Sequence, residues 1–437
     1  MKYKAPLIVG YDAKRAVENM TGLGNYSRYA INILSLAYPS MQMRLYAPRE
    51  RDNDRLRPLL SRDNISLVTP SLRLENAVSR AFWRTVDLPL DLRRDDVSLY
   101  HGLSNELPLT VKGVCPAVVT IHDVIWRRSP RDYSPVDRRI YDWKYGRSAR
   151  IATRVIAISE CTRRDLISDF NIPEEKIDVV YQGVDPVFTL PVDTAARTEI
   201  RRRYDLPQRY ILAVGTVQPR KNLLQAVKAL PALPSDVILV VVGARKGPYA
   251  REVNETIARL RLADRVRFLE GIPFSDLPAL YACAEFSSYT SFYEGFGLPV
   301  VESLSVGTPV IAAKGSCLEE AGGRGAVYVD PADVDNYIDE ATSTTHTLGK
   351  NSPTTGVVTS DASPPKISRK PLWPHTTKPL LISAYEKHTY SRSRRFYRRL
   401  HRRRSPPPRL RHIRCRQGIY ITALPLRPTP ALRRPRL

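Results

Sequence analysis

Cysteine, methionine, tryptophan and histidine are all scarce in this 437-residue chain, at 5, 4, 4 and 7 residues. The five cysteines (Cys115, Cys161, Cys283, Cys317, Cys415) form no Cys-x-x-Cys pair and no metal-ligand spacing with histidine. That argues against a disulfide scaffold and a zinc site, and the thiols read as reduced and buried in a cytosolic protein. Long apolar runs are missing too. The best, Val237–Val242, has the length of a strand, far from the ~20 residues that span a bilayer. The basic start MKYKAPLIVGYDAKRA loses its apolar run at Tyr11-Asp12, too early for a signal peptide.

Acidic charge is short as well, 44 Asp+Glu against 68 Lys+Arg, for a formal charge of +24. Such an excess ordinarily points to nucleic acid or a membrane. Here it is confined. Residues from Ala341 to Leu437 hold 22 basic and 2 acidic side chains, 13 of the 36 prolines and five of the seven histidines. Residues 1–340 carry 46 basic and 42 acidic groups, a net charge of only +4. The composition describes a near-neutral globular body and a basic, proline-rich tail, so no nucleic-acid partner is expected for the body.

Within the body, short β-branched runs alternate with helical stretches, the pattern of an α/β protein with parallel sheets. Strands are expected at Leu7–Tyr11, Arg44–Tyr46, Ser66–Thr69, Ser98–Tyr100, Ala117–Ile121, Arg154–Ile158 and Lys176–Val180. A second set follows at Tyr210–Gly215, Val237–Gly243, Val266–Leu269, Phe286–Tyr289, Pro309–Ala313 and Ala326–Asp330. A helix from about Asn25 to Ala37 presents Tyr26, Tyr29, Ala30 and Ile33 on one face. Leu72–Trp83 reads as an amphipathic helix packed on its own sheet, with a membrane surface as the alternative use. The expected organisation is a domain over residues 1–180, a linker over 181–209, a second domain over 210–341 and a tail over 342–437. Two such halves imply a cleft, with ligands outside the carboxyl ends of the strands.

Three segments bring chemistry to those ends. Gly215-Thr216-Val217-Gln218-Pro219-Arg220-Lys221 runs from a strand end into a turn, where Arg220 and Lys221 suit a diphosphate, one as a fork and one as a point charge. In Tyr293-Glu294-Gly295-Phe296-Gly297-Leu298-Pro299, two glycines allow close backbone approach, and a helix begins near Pro299, an arrangement that binds anions. Glu294 and Glu302 follow the same loop into that helix, and carboxylates suit sugar hydroxyls because they only accept. The strand Val118–Ile121 ends in His122-Asp123, positioned to contact a reacting sugar or stabilise developing charge.

These residues, with TGLGNYSRY near the start, VVTIHD, RVIAISECTRRDL, YILAVGTVQPRKNL and SFYEGFGLPVVESLSVGTPVIA, resemble the blocks of the family 4 glycosyltransferases in order. The resemblance covers about residues 3–340, and Glu294 and Glu302 match its Glu-x7-Glu motif. It implies the GT-B fold, two Rossmann-like domains around a cleft, and a retaining, metal-independent transferase with no cofactor. It implies a nucleotide-diphosphate-sugar donor in the second domain and a glycan or lipid-linked acceptor mostly on the first. The expected setting is bacterial surface-polysaccharide or lipopolysaccharide synthesis, mannosyltransferase-like. The expected place is the cytoplasm, with peripheral contact at the inner membrane. By the same resemblance Arg220 and Lys221 neutralise the leaving diphosphate, and Glu294 holds donor-sugar hydroxyls. Phe296, Gly297 and Leu298 offer backbone N–H groups, and Glu302 holds the ribose. Gly22 and Gly24 close over the diphosphate, Gly215 belongs to the donor loop, and His122 contacts the donor sugar.

Other readings remain. A glucan synthase or phosphorylase-like enzyme uses the same fold, and an anionic-polymer-binding protein would act through the arginine runs of 391–416. Asp333-Val334-Asp335 imitates a metal-binding DxD but stands where an aspartate caps a helix. Ser316-Cys317-Leu318-Glu319-Glu320 departs from the family, which usually has proline near Glu319. After Ala341 the helical period stops. That break falls inside a domain, as an out-of-frame reading would produce, so a disordered tail is expected; the alternative is a basic anchor for anionic lipid.

Overall fold

The computed structural model of the protein describes residues 7–71 and 76–349, together with 413–414 and 420–421. Two units are distinguished, Met1–Ala384 and Tyr385–Leu437. The first holds two parallel sheets. In the second, Ile413–Arg414 pairs antiparallel with Tyr420–Ile421.

The first sheet has seven strands: β1 (Ile8–Asp12), β2 (Gln42–Tyr46), β3 (Ile65–Val68), β4 (Leu99–Gly102), β5 (Ala117–Ile121), β6 (Arg154–Ala157) and β7 (Ile177–Val179). Their order is β3-β2-β1-β4-β5-β6-β7. The second has six: β8 (Arg209–Val214), β9 (Val237–Val242), β10 (Val266–Leu269), β11 (Phe286–Tyr289), β12 (Val310–Ala313) and β13 (Ala326–Val329), in the order β10-β9-β8-β11-β12-β13. All thirteen expected strands are present, with ends displaced by at most two residues. The central strands β4, β5, β11 and β12 are buried along their whole length; β12 is apolar throughout, while β4, β5 and β11 also bury His101, Thr120, Ser287 and Ser288.

Both sheets reverse their winding at one place, between β1 and β4 and between β8 and β11. At such a switch point the loops leaving two neighbouring strands diverge and open a crevice at their carboxyl ends. Between the sheets the chain makes the turn Pro186–Thr189 and the charged helix Thr194–Arg203. Phe188 of that turn is fully buried among Tyr210, Leu212, Leu280 and Tyr281, which anchors the connection to the second sheet.

Three local expectations are corrected. The first long helix is Gly22–Ala37, so Gly22 and Gly24 form its opening turn and are not a loop ahead of it. A Cβ on Gly24 would lie 1.8 Å from the Asn19 carbonyl oxygen, which is why the helix starts so tightly against the preceding chain. Of the expected helix Leu72–Trp83, residues 72–75 lie outside those described; Ala77–Phe82 is helical with none of its residues buried, and burial begins at Trp83, in a π-helical turn over Trp83–Asp87. Finally, the helix Val334–Gly349 runs through the expected boundary at 341/342. Tyr337, Ala341 and Thr345 are all buried, a four-residue repeat that carries the core face past Ala341. The expectations of a disordered tail and a shifted reading frame otherwise concern residues outside those described.

Candidate active site

The site forms at the switch point of the second sheet. After β8 the chain turns at Gly215, whose φ of +146° favours glycine. The Lys221 side chain passes over that glycine, its carbons 3.6–3.8 Å from where a Cβ would stand. The turn Pro219–Lys221 ends at Asn222, which is left-handed and whose amide donates to the carbonyls of Thr290 at 3.2 Å and Pro331 at 2.7 Å. The Phe292 N–H donates to the Arg220 carbonyl at 2.9 Å. These bonds tie the loop after β8 to the loop after β11, and the two loops bring the candidate residues together.

Arg220 Nη1 and Lys221 Nζ each lie 2.6 Å from Glu294 Oε1. Arg220 also donates to the Tyr293 carbonyl at 2.9 Å, and Tyr289 donates to Glu294 Oε1 at 3.1 Å. Burial alone would push the Glu294 carboxyl up, but Lys221 and Arg220 override it and hold the group below its usual value. Burial pushes the Lys221 ammonium down. Three charges thus share one small volume.

Behind this cluster Gly297 is left-handed with φ +107°, and the helix Leu298–Ser305 begins with Pro299 in its first turn. A Cβ on Gly297 would meet Leu318 Cδ2 at 2.5 Å, so no other residue packs there without displacement. By helix geometry the first N–H groups lack intrahelical partners. Glu302, one turn on, is buried and accepts from the Tyr281 hydroxyl at 3.2 Å. Burial raises its pKa to about 7, and the Asp185 charge adds to the rise.

His122 departs from its expected placement. Its ring is 3 % exposed. Nε2 lies 2.9 Å from the Leu103 carbonyl, which only accepts, so Nε2 carries the proton. Nδ1 accepts from the Gln182 amide at 3.1 Å. Both nitrogens are therefore engaged inside the protein, and neither is presented to the cleft as the sequence reading expected. Burial lowers the pKa to about 4, which keeps the ring neutral. What faces the second domain is the backbone: a Cβ on Gly295 would stand 2.1 Å from the His122 carbonyl oxygen and 3.1 Å from Asp123 Cβ. Asp123, raised to about 6 by burial, feels the charges of Arg220 and Glu294.

Further bonds cross between the domains. Tyr293 donates its hydroxyl to Asp165. Glu320 accepts from the N–H groups of Glu160 at 2.6 Å and Cys161 at 2.8 Å, capping the helix Glu160–Phe170 from the other domain. The segment around Glu319 that departs from the family is thus joined to the first domain, and Cys317 Sγ lies 3.0 Å from the Glu294 carbonyl. Asp333 accepts from the Asn336 N–H at 3.0 Å, the helix-capping role expected for it. Among the described residues no group of three or more His, Cys, Asp or Glu is placed to hold a metal ion. A shallow depression lined by Asp12, Arg84, Trp143, Lys144 and Arg147 among others lies in the first domain, apart from this cluster.

Sequence reasoning missed Tyr289, Tyr281, Asp185 and Gln182. No motif marks them, because Tyr289 ends β11, Tyr281 lies on the helix Leu277–Cys283 and Gln182 and Asp185 share the loop after β7, so they meet the site only in space.

Two families match the chain: Glycosyltransferase Family 4 over residues 34–188 and Glycosyl transferases group 1 over residues 196–346. Together they take in well over half of it. The chain belongs to the family 4 glycosyltransferases. The O-antigen chain mannosyltransferase B of Escherichia coli is 31 % identical over 242 residues, 54 % of this chain and 62 % of that protein. A D-inositol 3-phosphate glycosyltransferase of Salinispora tropica is 38 % identical over 177 residues, 37 % of each chain. The matches thus span less than two thirds of these curated relatives. Among solved structures, Anabaena HepE in complex with UDP and glucose superposes with a TM-score of 0.61 at 18 % identity, covering 88 % of this chain and 99 % of that one. WaaG, a glycosyltransferase involved in lipopolysaccharide biosynthesis, gives 0.58 at 15 % identity, over 77 % and 90 %. These likenesses establish the GT-B fold for this glycosyltransferase.

Proposed function

We propose that this protein is a retaining hexosyltransferase. It moves a sugar, mannose in the first instance, from a nucleotide-diphosphate donor to a glycan or lipid-linked acceptor in surface-polysaccharide synthesis. The observation that carries the reading is the convergence of Arg220 and Lys221 on Glu294 beside the glycine-opened helix start. When donor enters, the diphosphate takes the basic pair and Glu294 turns to the sugar hydroxyls. Glu302 accepts from the ribose, the N–H groups of Phe296, Gly297 and Leu298 face the donor, and Gly22 and Gly24 cover the diphosphate. The bond from the anomeric carbon to the phosphate oxygen breaks as Arg220 and Lys221 stabilise the charge that develops there. The acceptor oxygen bonds to the same face of that carbon, and its proton leaves with the phosphate. His122 acts through its backbone and its bond to Gln182. The similarity to O-antigen mannosyltransferases supports the choice of sugar and setting.

We place the enzyme peripherally at a cytoplasmic membrane face. No helix among the described residues is long and apolar enough to cross a bilayer. Val136, Ile140 and Trp143 are exposed along one stripe of the helix Pro135–Ile151, and Val78 and Phe82 are exposed on Ala77–Phe82. Calorimetric titration with UDP, GDP, ADP and their mannose and glucose conjugates tests the donor reading. Micromolar binding of one nucleotide series, with sugar release or transfer, is expected; no binding to any of them would overturn it.

A further inference from the structure

Glu294 stands between two residues that rest on the first domain. On one side is Tyr293. Its hydroxyl donates to Asp165 of the helix Glu160–Phe170, and its ring is buried with Ile125 and Cys161 of the first domain and Cys317 of the second. On the other side is Gly295. A Cβ there would lie 2.1 Å from the His122 carbonyl oxygen, so only glycine lets the two backbones come so close. Thr162, on the same helix as Asp165, donates to that carbonyl at 3.2 Å. One turn of a first-domain helix thus braces both neighbours of Glu294.

The acceptor is itself held in one orientation. Arg128 pairs with Oδ1 of the buried Asp165, and with Asp169 at 2.9 Å, while Oδ2 of Asp165 takes Tyr293. Burial pushes the Tyr293 hydroxyl well above its ordinary range, so it stays a donor. From Tyr293 the connection runs through the backbone. Arg220 donates to the Tyr293 carbonyl at 2.9 Å, and the Phe292 N–H donates to the Arg220 carbonyl at 2.9 Å. The guanidinium that meets Glu294 at 2.6 Å is therefore aimed by a peptide whose side chain is anchored in the other domain. Lys221 is held differently: it donates to Tyr289 and Glu294, both in the second domain.

We propose that Asp165 and Tyr293 are positioning residues for sugar transfer: their bond fixes the 293–295 peptide against the first domain and so aims Arg220 and Glu294 at the donor. The proposal rests on the transferase reading above and deepens it. Misalignment of this kind costs rate more than affinity, because the aimed groups act most strongly where charge develops as the bond breaks. Lys221 and the helix start at Leu298 stand outside the coupling, so nucleotide binding survives its loss.

The test compares the full-length protein with Tyr293→Phe, Asp165→Ala, Asp165→Asn and the double variant Tyr293→Phe/Asp165→Ala. Release of nucleoside diphosphate from the mannose and glucose conjugates of UDP, GDP and ADP gives the rate, and calorimetry gives the affinity for the free diphosphate. Tyr293→Phe and Asp165→Ala are expected to lower kcat about 10–100-fold and leave KM and Kd within about threefold. The double variant should be no slower than the slower single one, because both substitutions remove the same bond. Asp165→Asn, whose amide still reaches the Tyr293 hydroxyl, should recover most of the rate. A side chain that only stabilised the fold would lower the melting temperature and leave the kcat of the folded enzyme alone. Should Asp165→Ala fail to fold, Tyr293→Phe decides, since it keeps the ring packing and the Arg128–Asp165 pair. Wild-type kcat in folded Tyr293→Phe, a rise in KM with kcat unchanged, or losses that multiply in the double variant overturns the proposal. A wild-type protein that turns over none of these conjugates overturns the transferase reading, and this role with it.

Discussion

Glu294 neutralises only one of the two positive charges at the end of β8, so Arg220 and Lys221 keep a surplus for an incoming diphosphate. Loss of either is expected to lower kcat by 10²–10³, about 2.7–4 kcal/mol, as for other donors to a developing anion. Arg202 is the proper control, since its side chain is 75 % exposed and paired with Glu199. Arg201 is not, because it donates to the carbonyls of Pro207 and Cys283. Steady-state kinetics of the three alanine variants would reject the assignment if Arg202→Ala matched the other two. Glu302 offers a test by pH. Its folded pKa is raised to about 7 from the ordinary 4.5. Below pH 4.5 the group is neutral in both states and costs nothing; as pH rises toward 7 the folded state is progressively penalised, by on the order of 3 kcal/mol above that. Glu302→Gln should therefore raise the melting temperature at pH 8, lose that advantage at pH 4, and bind donor more weakly. Equal melting temperatures at pH 8 would contradict the burial argument.

The first turn of Gly22–Ala37 separates stability from function at the scale of one element. Nothing lies within 4 Å of a Cβ on Gly22, whereas a Cβ on Gly24 strikes backbone. Gly24→Ala is expected to cost roughly 2 kcal/mol or more, because a carbonyl must move. Gly22→Ala should hold stability within about 1 kcal/mol of wild type, yet raise the KM for donor if that turn covers the diphosphate. Urea unfolding and donor kinetics on both variants read the two effects apart. The cap from Glu320 onto Glu160–Phe170 acts across domains. Glu320→Ala should cost about 1 kcal/mol by removing the acceptor for two N–H groups. Denaturant titration measures it, and an unchanged midpoint would mean that the cap contributes nothing to closure.

For the whole molecule, charge is partitioned between a body of net +4 and a tail that holds nearly all the excess. The field at the candidate site is therefore local, built from Arg220, Lys221 and a helix start. Sugar transfer is expected to continue in excess EDTA. A strict need for added Mn²⁺ or Mg²⁺ would overturn that and draw attention back to Asp333 and Asp335.

Periodicity and strand-end motifs were enough to place thirteen strands, two α/β halves, the basic pair and the two glutamates, because each is a short-range signal carried by consecutive residues. Element ends were less legible. The helix Val334–Gly349 passes Ala341 through a threonine that ordinary hydropathy counts as polar, and Ala77–Phe82 has an amphipathic pattern but buries none of it. The orientation of His122 could not be read from its neighbours in sequence, since Leu103 and Gln182 lie 19 and 60 residues away. Arg55 carries no motif at all, yet its guanidinium lies over the Phe274 ring of the other domain at 3.8 Å. The chain's local pattern is enough for the elements, and the reaction class follows from the resemblance of its motifs to a known family. Which side chains share a volume is decided by parallel-sheet topology, which joins residues far apart in sequence.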